Sequence, residues 1–509
     1  MKNLTKWYGV YFLSALLALL FISCSKDDDN APEPDTNDPV ITDPVTDPVT
    51  LDNEINEFVF NGMDYWYLWE NEVPEFKNDY FDDQDEFYTY LNSFSDPEHV
   101  FDDVLVDKDR FSWIVEDYDV LFNSFSGIST SNGLDFGLQA APEGLPKVLG
   151  FVRYVVSGSD AAGKDIKRGD FFYAVNGINL YYNNSTDNNL DLLDSDNYTL
   201  NMADVDVTTL TTVPNGKSVD LTKTELSENP IHISKTIDVN GSKIGYLMYN
   251  RFTASYDEQL NDTFGQFKAD GVTDLVLDLR YNPGGSVSSA IKLASMITGQ
   301  FTGQLFSKET WNSNLNATFS YENNFIEKLS SEGPAINSLN LNRVYILALD
   351  GSASASEMII NGLAPYIDVI HIGDNTVGKN EFSVTLVDNP VQKDYPPYVY
   401  VGEQSLIGVD PDHKYAMQPL VGTNENAAGF SEFTEGLVPD IQMPEVLTLM
   451  GELGNPEERL LAKAIEEITG ISAKKAFNEI SEKLNVKTIK SSTDYTVTKD
   501  NMYWDVFEK

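Results

Sequence analysis

The chain has 509 residues, roughly three domains at ordinary domain size. Its 41% hydrophobic and 12% aromatic content can build real cores, which excludes a wholly disordered or collagen-like chain. Charge is one-sided: 34 Lys and Arg against 80 Asp and Glu leave −46, which repels phosphate backbones, offers anionic lipid no basic patch and argues against a nucleic-acid partner.

Lys2 and Lys6 precede an apolar run from Trp7 to Ile22, the basic-then-apolar order of an export signal and too short to span a bilayer comfortably. The run ends at Ser23-Cys24, and Cys24 is the only cysteine, so neither an intrachain disulfide nor a Cys-based zinc site is possible. This junction resembles a bacterial lipobox, although Phe21 and Ile22 depart from its usual Leu-Ala/Ser pattern. The resemblance implies a lipoprotein signal peptide over 1–23 and lipidation of Cys24. Ser25-Lys26-Asp27-Asp28-Asp29 is similar to the acidic export tag on surface lipoproteins of the Bacteroidetes group. Together they imply a cell-envelope protein, lipid-anchored to the outer membrane and surface-exposed, with the membrane as a partner through its anchor. Residues 24–50 form an acidic, Pro-rich linker, in which Thr42-Asp43-Pro44-Val45 repeats at once as Thr46-Asp47-Pro48-Val49.

From Leu51 the composition changes. Ile55, Phe58, Val59, Met63 and Trp66 share one helical face, and Pro74 is expected to close that helix, so 51–125 reads as a helical N-terminal domain. Residues 126–225 read as a β-rich module. Val148–Val156 has a strand pattern, and Phe171–Val175 leads into an Asn176-Gly177 hairpin turn. From 226 to 470 strands and helices alternate: strands at Gly245–Tyr249, Leu275–Leu279, Val344–Leu349 and Val369–Gly373, helices near 255–270, 286–297 and 354–364. That alternation predicts an α/β layer with parallel pairing. The Lys-rich tail, 471–509, has no assigned element.

Three motifs carry chemistry. Gly351-Ser352-Ala353-Ser354-Ala355-Ser356-Glu357 lies between a buried strand and a helix, where a hydroxyl can stand exposed beside outward-pointing amides. A cluster of helix-capping serines would read the same way. Asp278-Leu279-Arg280-Tyr281-Asn282-Pro283-Gly284-Gly285 ends a strand in a turn whose glycine amides suit an oxyanion, or simply make a tight connection, with Arg280 tying the turn together. Asn375-Thr376-Val377-Gly378-Lys379 follows another buried strand. A Lys drawn into an apolar cleft loses its proton more readily and can act as a base, whereas most Lys residues stay on the surface.

In this order and spacing the three motifs resemble the S41 family of serine peptidases, the C-terminal processing (tail-specific) peptidases, over roughly 120–460. The resemblance implies an α/β, multidomain fold: the helical N-terminal domain, a PDZ-like module at 126–225, and an α/β (crotonase/ClpP-like) peptidase core at 226–470. It makes Ser354 the nucleophile and Lys379, 25 residues on, the general base. The oxyanion donors map to the amide of Ala355 and to that of Gly284 or Gly285. Phe136-Gly137-Leu138 matches the carboxylate-binding loop of the PDZ module, which captures a peptide C-terminus by strand addition. Substrates would then be proteins or peptides recognised by their C-termini, and no metal or cofactor is implied.

Two positions depart from the family. Where many members carry a Gln that orients the Lys, this chain has Ser383, a possible orienting hydroxyl, and where some have Asp it has Pro365. The competing reading is a catalytically degraded peptide-binding lipoprotein on the same scaffold. Ser289-x-x-Lys292 and Ser472-x-x-Lys475 fit a Ser-x-x-Lys pattern that arises by chance in a chain this long. His371, inside an apolar strand, reads as a core histidine.

Overall fold

The structure, a computed structural model, describes residues 48–140, 148–206, 211–392, 398–471, 488–498 and 501–504. The signal peptide, Cys24, most of the linker and the Ser472 pair lie outside these residues.

The helix Glu54–Trp66 is capped by the Asn53 side chain, which accepts from the Ile55 amide, and it buries Phe58, Val59, Met63 and Trp66. It ends well before Pro74, which instead opens a short turn, Pro74–Phe76. Tertiary bonds end it: the Leu68 amide donates to the Leu420 carbonyl (2.8 Å), and the Tyr67 hydroxyl donates to Asp109 (2.9 Å). Helices Gln84–Leu91, Pro97–Asp103 and Tyr118–Phe125 follow. The apolar face of Glu54–Trp66 belongs to the same buried cluster as Leu247, Leu277 and Ala355, far along the chain.

The main sheet of the β-rich region is antiparallel, and Ile128–Ser131 pairs with Thr224–Ser227 in a separate ribbon. The path of the main sheet runs from Thr488–Ser491 through Leu134–Ala140, Val148–Val155, Phe171–Val175 and Asn197–Asp206 to Thr211–Thr222, with Ile178–Asn179 also paired to Phe171–Val175. Asn176 and Gly177 both take positive φ (52° and 79°), as the predicted tight hairpin requires. Leu138, Val152, Phe172 and Leu200 form its core.

The α/β layer is a six-stranded sheet in the order Ile231–Val239, Ser242–Tyr249, Asp274–Asp278, Arg343–Ala348, Asp368–Gly373, Ile441–Gln442. The first pair is antiparallel and the rest parallel. Strand alternation sorts the two faces. Leu247, Tyr249, Leu275 and Leu277 pack with the helices Asp257–Asp270, Val287–Ile297 and Ala355–Leu363, while Tyr246, Met248 and Val276 pack with Arg459–Thr469. Every strand and helix expected here is present within a few residues. A second sheet was not foreseen: Gly285–Ser286, Met502–Tyr503, Glu381–Ser383, Leu420–Asn426, Leu305–Trp311 and Glu322–Asn324.

Candidate active site

The three motifs meet at the carboxyl ends of the parallel strands. The Asn282 carbonyl accepts from the Ala353 amide (3.1 Å) and the Ser356 hydroxyl (2.9 Å), which sews the glycine turn to the serine loop. The Val377 amide donates to the Ser352 carbonyl (3.0 Å), which brings in the lysine loop.

Ser354 precedes the helix Ala355–Leu363 at φ 65° and ψ −116°. A non-glycine residue held there is strained, and such strain clusters at functional turns. Its hydroxyl is fully buried and makes no hydrogen bond to a described residue. Gly284, at φ 109°, lies against it: a Cβ added to Gly284 would stand 2.6 Å from Ser354 Cβ and 2.9 Å from its Oγ. Only glycine permits both that backbone angle and that approach. The Gly284 amide donates to Asn282 Oδ1 (2.9 Å), whereas the Gly285 amide donates to the Asn501 carbonyl (2.6 Å). Gly285 is therefore the turn amide aimed at a carbonyl, and Ala355 opens the helix beside it.

Lys379 is fully buried, with Nζ 4.9 Å from the centre of the Phe111 ring. Arg110 reaches the same loop and donates to the Gly378 carbonyl (2.6 Å). Ser354 and Lys379 hang from one carboxylate oxygen: Glu357 Oε2 accepts the Ser354 amide (2.7 Å) and the Lys379 amide (2.9 Å). Its other oxygen accepts the Gly378 amide (2.7 Å) and the Thr376 hydroxyl. Burial pushes the Glu357 carboxyl up to about 7, against the downward pull of these four donors. Glu357 stood in the motif without a role. The spacing Ser-x-x-Glu at a helix start was the available signal, since it lets the side chain fold back onto its own cap.

Ser383 Oγ lies 2.6 Å from Gln418 Oε1, 3.1 Å from Asn501 Oδ1 and 3.2 Å from the Met502 carbonyl. Phe136, Gly137 and Leu138 lie within the strand Leu134–Ala140 rather than in a loop, because Leu134, Phe136 and Leu138 alternate inward to the core of the β-rich sheet. The outer edge of that strand is paired with Thr488–Ser491.

Other singled-out residues have structural partners. Arg280 is fully buried and ion-paired with Asp278, Glu458 and Glu445, so it ties the turn together. Ser289 and Lys292 both bind Asp257, each at 2.7 Å. His371 lies 3.3 Å from the Ala348 carbonyl through Nε2, and burial pushes its pKa down. Asp388, Asp410 and His413 could crowd a cation. Yet His413 Nδ1 accepts the Tyr415 amide, which leaves the neutral ring's proton on Nε2, facing Asp388. That is an acid–imidazole pair rather than a ligand set.

Fold and motif placement define the class, an S41 peptidase fold. Residues 54–113 match the peptidase S41 N-terminal domain and residues 243–412 match peptidase family S41. The two matches fall in the order N-terminal domain, then peptidase domain. It is 28% identical over 163 residues to a carboxyl-terminal-processing protease of Picosynechococcus, a stretch covering 32% of this chain and 35% of that protein. A protein named a probable CtpA-like serine protease, from Staphylococcus aureus, is 27% identical over 164 residues, 32% of this chain and 30% of its own. The chain therefore spans about a third of the length of the curated relatives it matches. A crystal structure of a protein assigned to the S41 proteases, from Bacteroides fragilis, superposes with a TM-score of 0.62 at 25% identity, covering 84% of this chain and all of that one.

Proposed function

We propose that the protein is a serine endopeptidase working through Ser354 and Lys379 on protein substrates recognised at their C-terminal tails. The observation that carries this is the strained, buried Ser354 at a helix start, tethered through Glu357 to the buried Lys379 and pressed against Gly284. Ser354 Oγ attacks the scissile carbonyl carbon while the neutral Lys379 amine takes its proton. The amides of Ala355 and Gly285 hold the oxyanion. Collapse expels the amine half of the peptide, which takes that proton from Lys379, and water then hydrolyses the acyl-enzyme. The substrate tail is read by the β-rich module along Leu134–Ala140 through strand addition.

Ser354→Ala and Lys379→Ala each lower cleavage of an unfolded substrate with an apolar C-terminus by at least about 1000-fold while leaving the circular dichroism unchanged. Undiminished cleavage by Ser354→Ala would remove this mechanism, and no cleavage by the parent chain would leave the peptide-binding lipoprotein as the reading to pursue. The basic-apolar leader and Cys24 support an outer-membrane lipid anchor facing the cell surface. Cells fed labelled palmitate incorporate it into this chain but not into its Cys24→Ala variant; label in both would remove the anchor from the account.

A further inference from the structure

The chain's own C-terminal segment lies on both places where a peptide substrate would lie. Thr488–Ser491 adds antiparallel to the strand Leu134–Ala140, with Ser491 opposite Gly137 and Lys490 opposite Leu138. It takes the backbone edge that strand addition requires. Ser492 then hooks the start of that strand: its hydroxyl donates to Asp135 Oδ2 (2.5 Å) and accepts the Phe136 amide (3.3 Å). The Tyr495 ring packs on Phe136, and its hydroxyl donates to the Leu190 carbonyl (2.9 Å). Arg251 donates to the Thr498 hydroxyl (2.7 Å), along the wall of a cavity of about 120 Å³ that the tail closes against Pro283.

The segment next reaches the reacting centre. The Asn501 carbonyl takes the Gly285 amide, the donor assigned above to the oxyanion. A Cβ built on Gly284 would touch both that carbonyl oxygen (2.5 Å) and Ser354 Oγ (2.9 Å), so the two atoms are neighbours. Met502–Tyr503 runs parallel to Gly285–Ser286 on one side and pairs Ser383 on the other, and Asn501, Met502 and Tyr503 are almost wholly buried. An extended strand with its carbonyl on an oxyanion donor is how a peptide binds a hydrolase. The chain order, however, is reversed. In a substrate held by its C-terminus, the scissile residue precedes the module-bound strand. Here Asn501 follows Thr488–Ser491.

We propose that the stretches Thr488–Thr498 and Asn501–Trp504 act as a built-in inhibitory strap, a peptide ligand in cis that incoming protein tails displace from the strand edge and from Gly285. This rests on the serine peptidase reading above. A strap that leaves only a fraction of molecules open raises the apparent KM by the inverse of that fraction.

The test uses the full chain with Lys490→Pro and Tyr495→Ala combined, since proline breaks strand pairing and the alanine removes the anchor on Phe136. The released variant cleaves a fluorogenic peptide with about tenfold higher kcat/KM, carried mostly by KM, and a synthetic peptide of residues 488–498 inhibits it competitively. Unchanged or reduced activity, with the synthetic peptide ineffective or stimulating, overturns the strap in favour of a purely architectural strand. Binding is read separately, by fluorescence anisotropy of the labelled 488–498 peptide with Ser354→Ala in both backgrounds. Binding to the released chain alone supports the strap, and equal binding or none to both overturns it. If no variant hydrolyses any substrate, the peptidase reading falls while the anisotropy still decides the strap.

Discussion

Ser354 and Gly284 are fitted to each other at the scale of single atoms. The serine takes a backbone conformation that an L-residue adopts at a cost of about 1–3 kcal/mol. The surrounding bonds at Asn282, Ser352 and Glu357 hold it there. Gly284 leaves space that any side chain would fill, with Ser354 Cβ on one side and the Asn501 carbonyl on the other. Gly284→Ala therefore displaces the hydroxyl or opens the turn. Misplacing a reacting atom by about 1 Å costs on the order of 100-fold in rate. The expected outcome is a loss of that size in kcat, at near-normal KM and with the chain still folded, read by steady-state kinetics beside circular dichroism. An active, wild-type-like Gly284→Ala enzyme would mean that the tight approach has no catalytic consequence.

At the scale of elements, the site is a junction of three loops, and Glu357 is the joint. It sits in the first turn of Ala355–Leu363 and binds backbone amides of both its own helix start and the lysine loop. Its carboxyl titrates near 7 in the folded protein against an ordinary 4.5. Below about 4.5 both folded and unfolded chains hold the proton. Between 4.5 and 7 only the folded chain does, so this residue's contribution to stability falls as pH rises and levels off above about 7. The shift corresponds to about 3 kcal/mol at most. Glu357→Gln removes that slope: urea midpoints of the variant and the parent, compared from pH 4 to pH 8, move toward each other or cross as pH rises. Parallel curves would contradict a raised carboxyl.

Across the whole molecule, the N-terminal helices are part of the α/β layer's interior. Trp66 packs against Trp311 and Phe319, from the second sheet and the turn beside it, at ring distances of 6.1 and 5.4 Å. Arg110 and Phe111 extend the same segment to the lysine loop. Trp66→Ala is expected to destabilise the chain by about 3–5 kcal/mol, the usual cost of emptying a large buried aromatic site, and to lower the single unfolding midpoint rather than create an early separate transition. Differential scanning calorimetry distinguishes the two; an early, isolated transition would make the helical region an independent domain.

The α/β strands, and the loops that carry Ser354, Lys379 and the glycine turn, were legible from the residue order. Buried parallel strands are continuous apolar runs, and loops that must turn at their ends need small residues at fixed offsets. The residue order could not place Thr488–Ser491 or Met502–Tyr503. Such short strands are held by backbone bonds to their neighbours and carry no periodicity of their own. Nor could it place Pro74 past the end of its helix, since the stop came from Leu420 and Asp109, hundreds and tens of residues away. Tertiary structure alone decided that one glutamate oxygen would carry both Ser354 and Lys379, and that the tail would lie across Gly285. Apart from the Ser354–Glu357 cap, which its spacing signals, these are contacts between residues whose separation along the chain carries no signal, made because burial leaves a polar group no other partner.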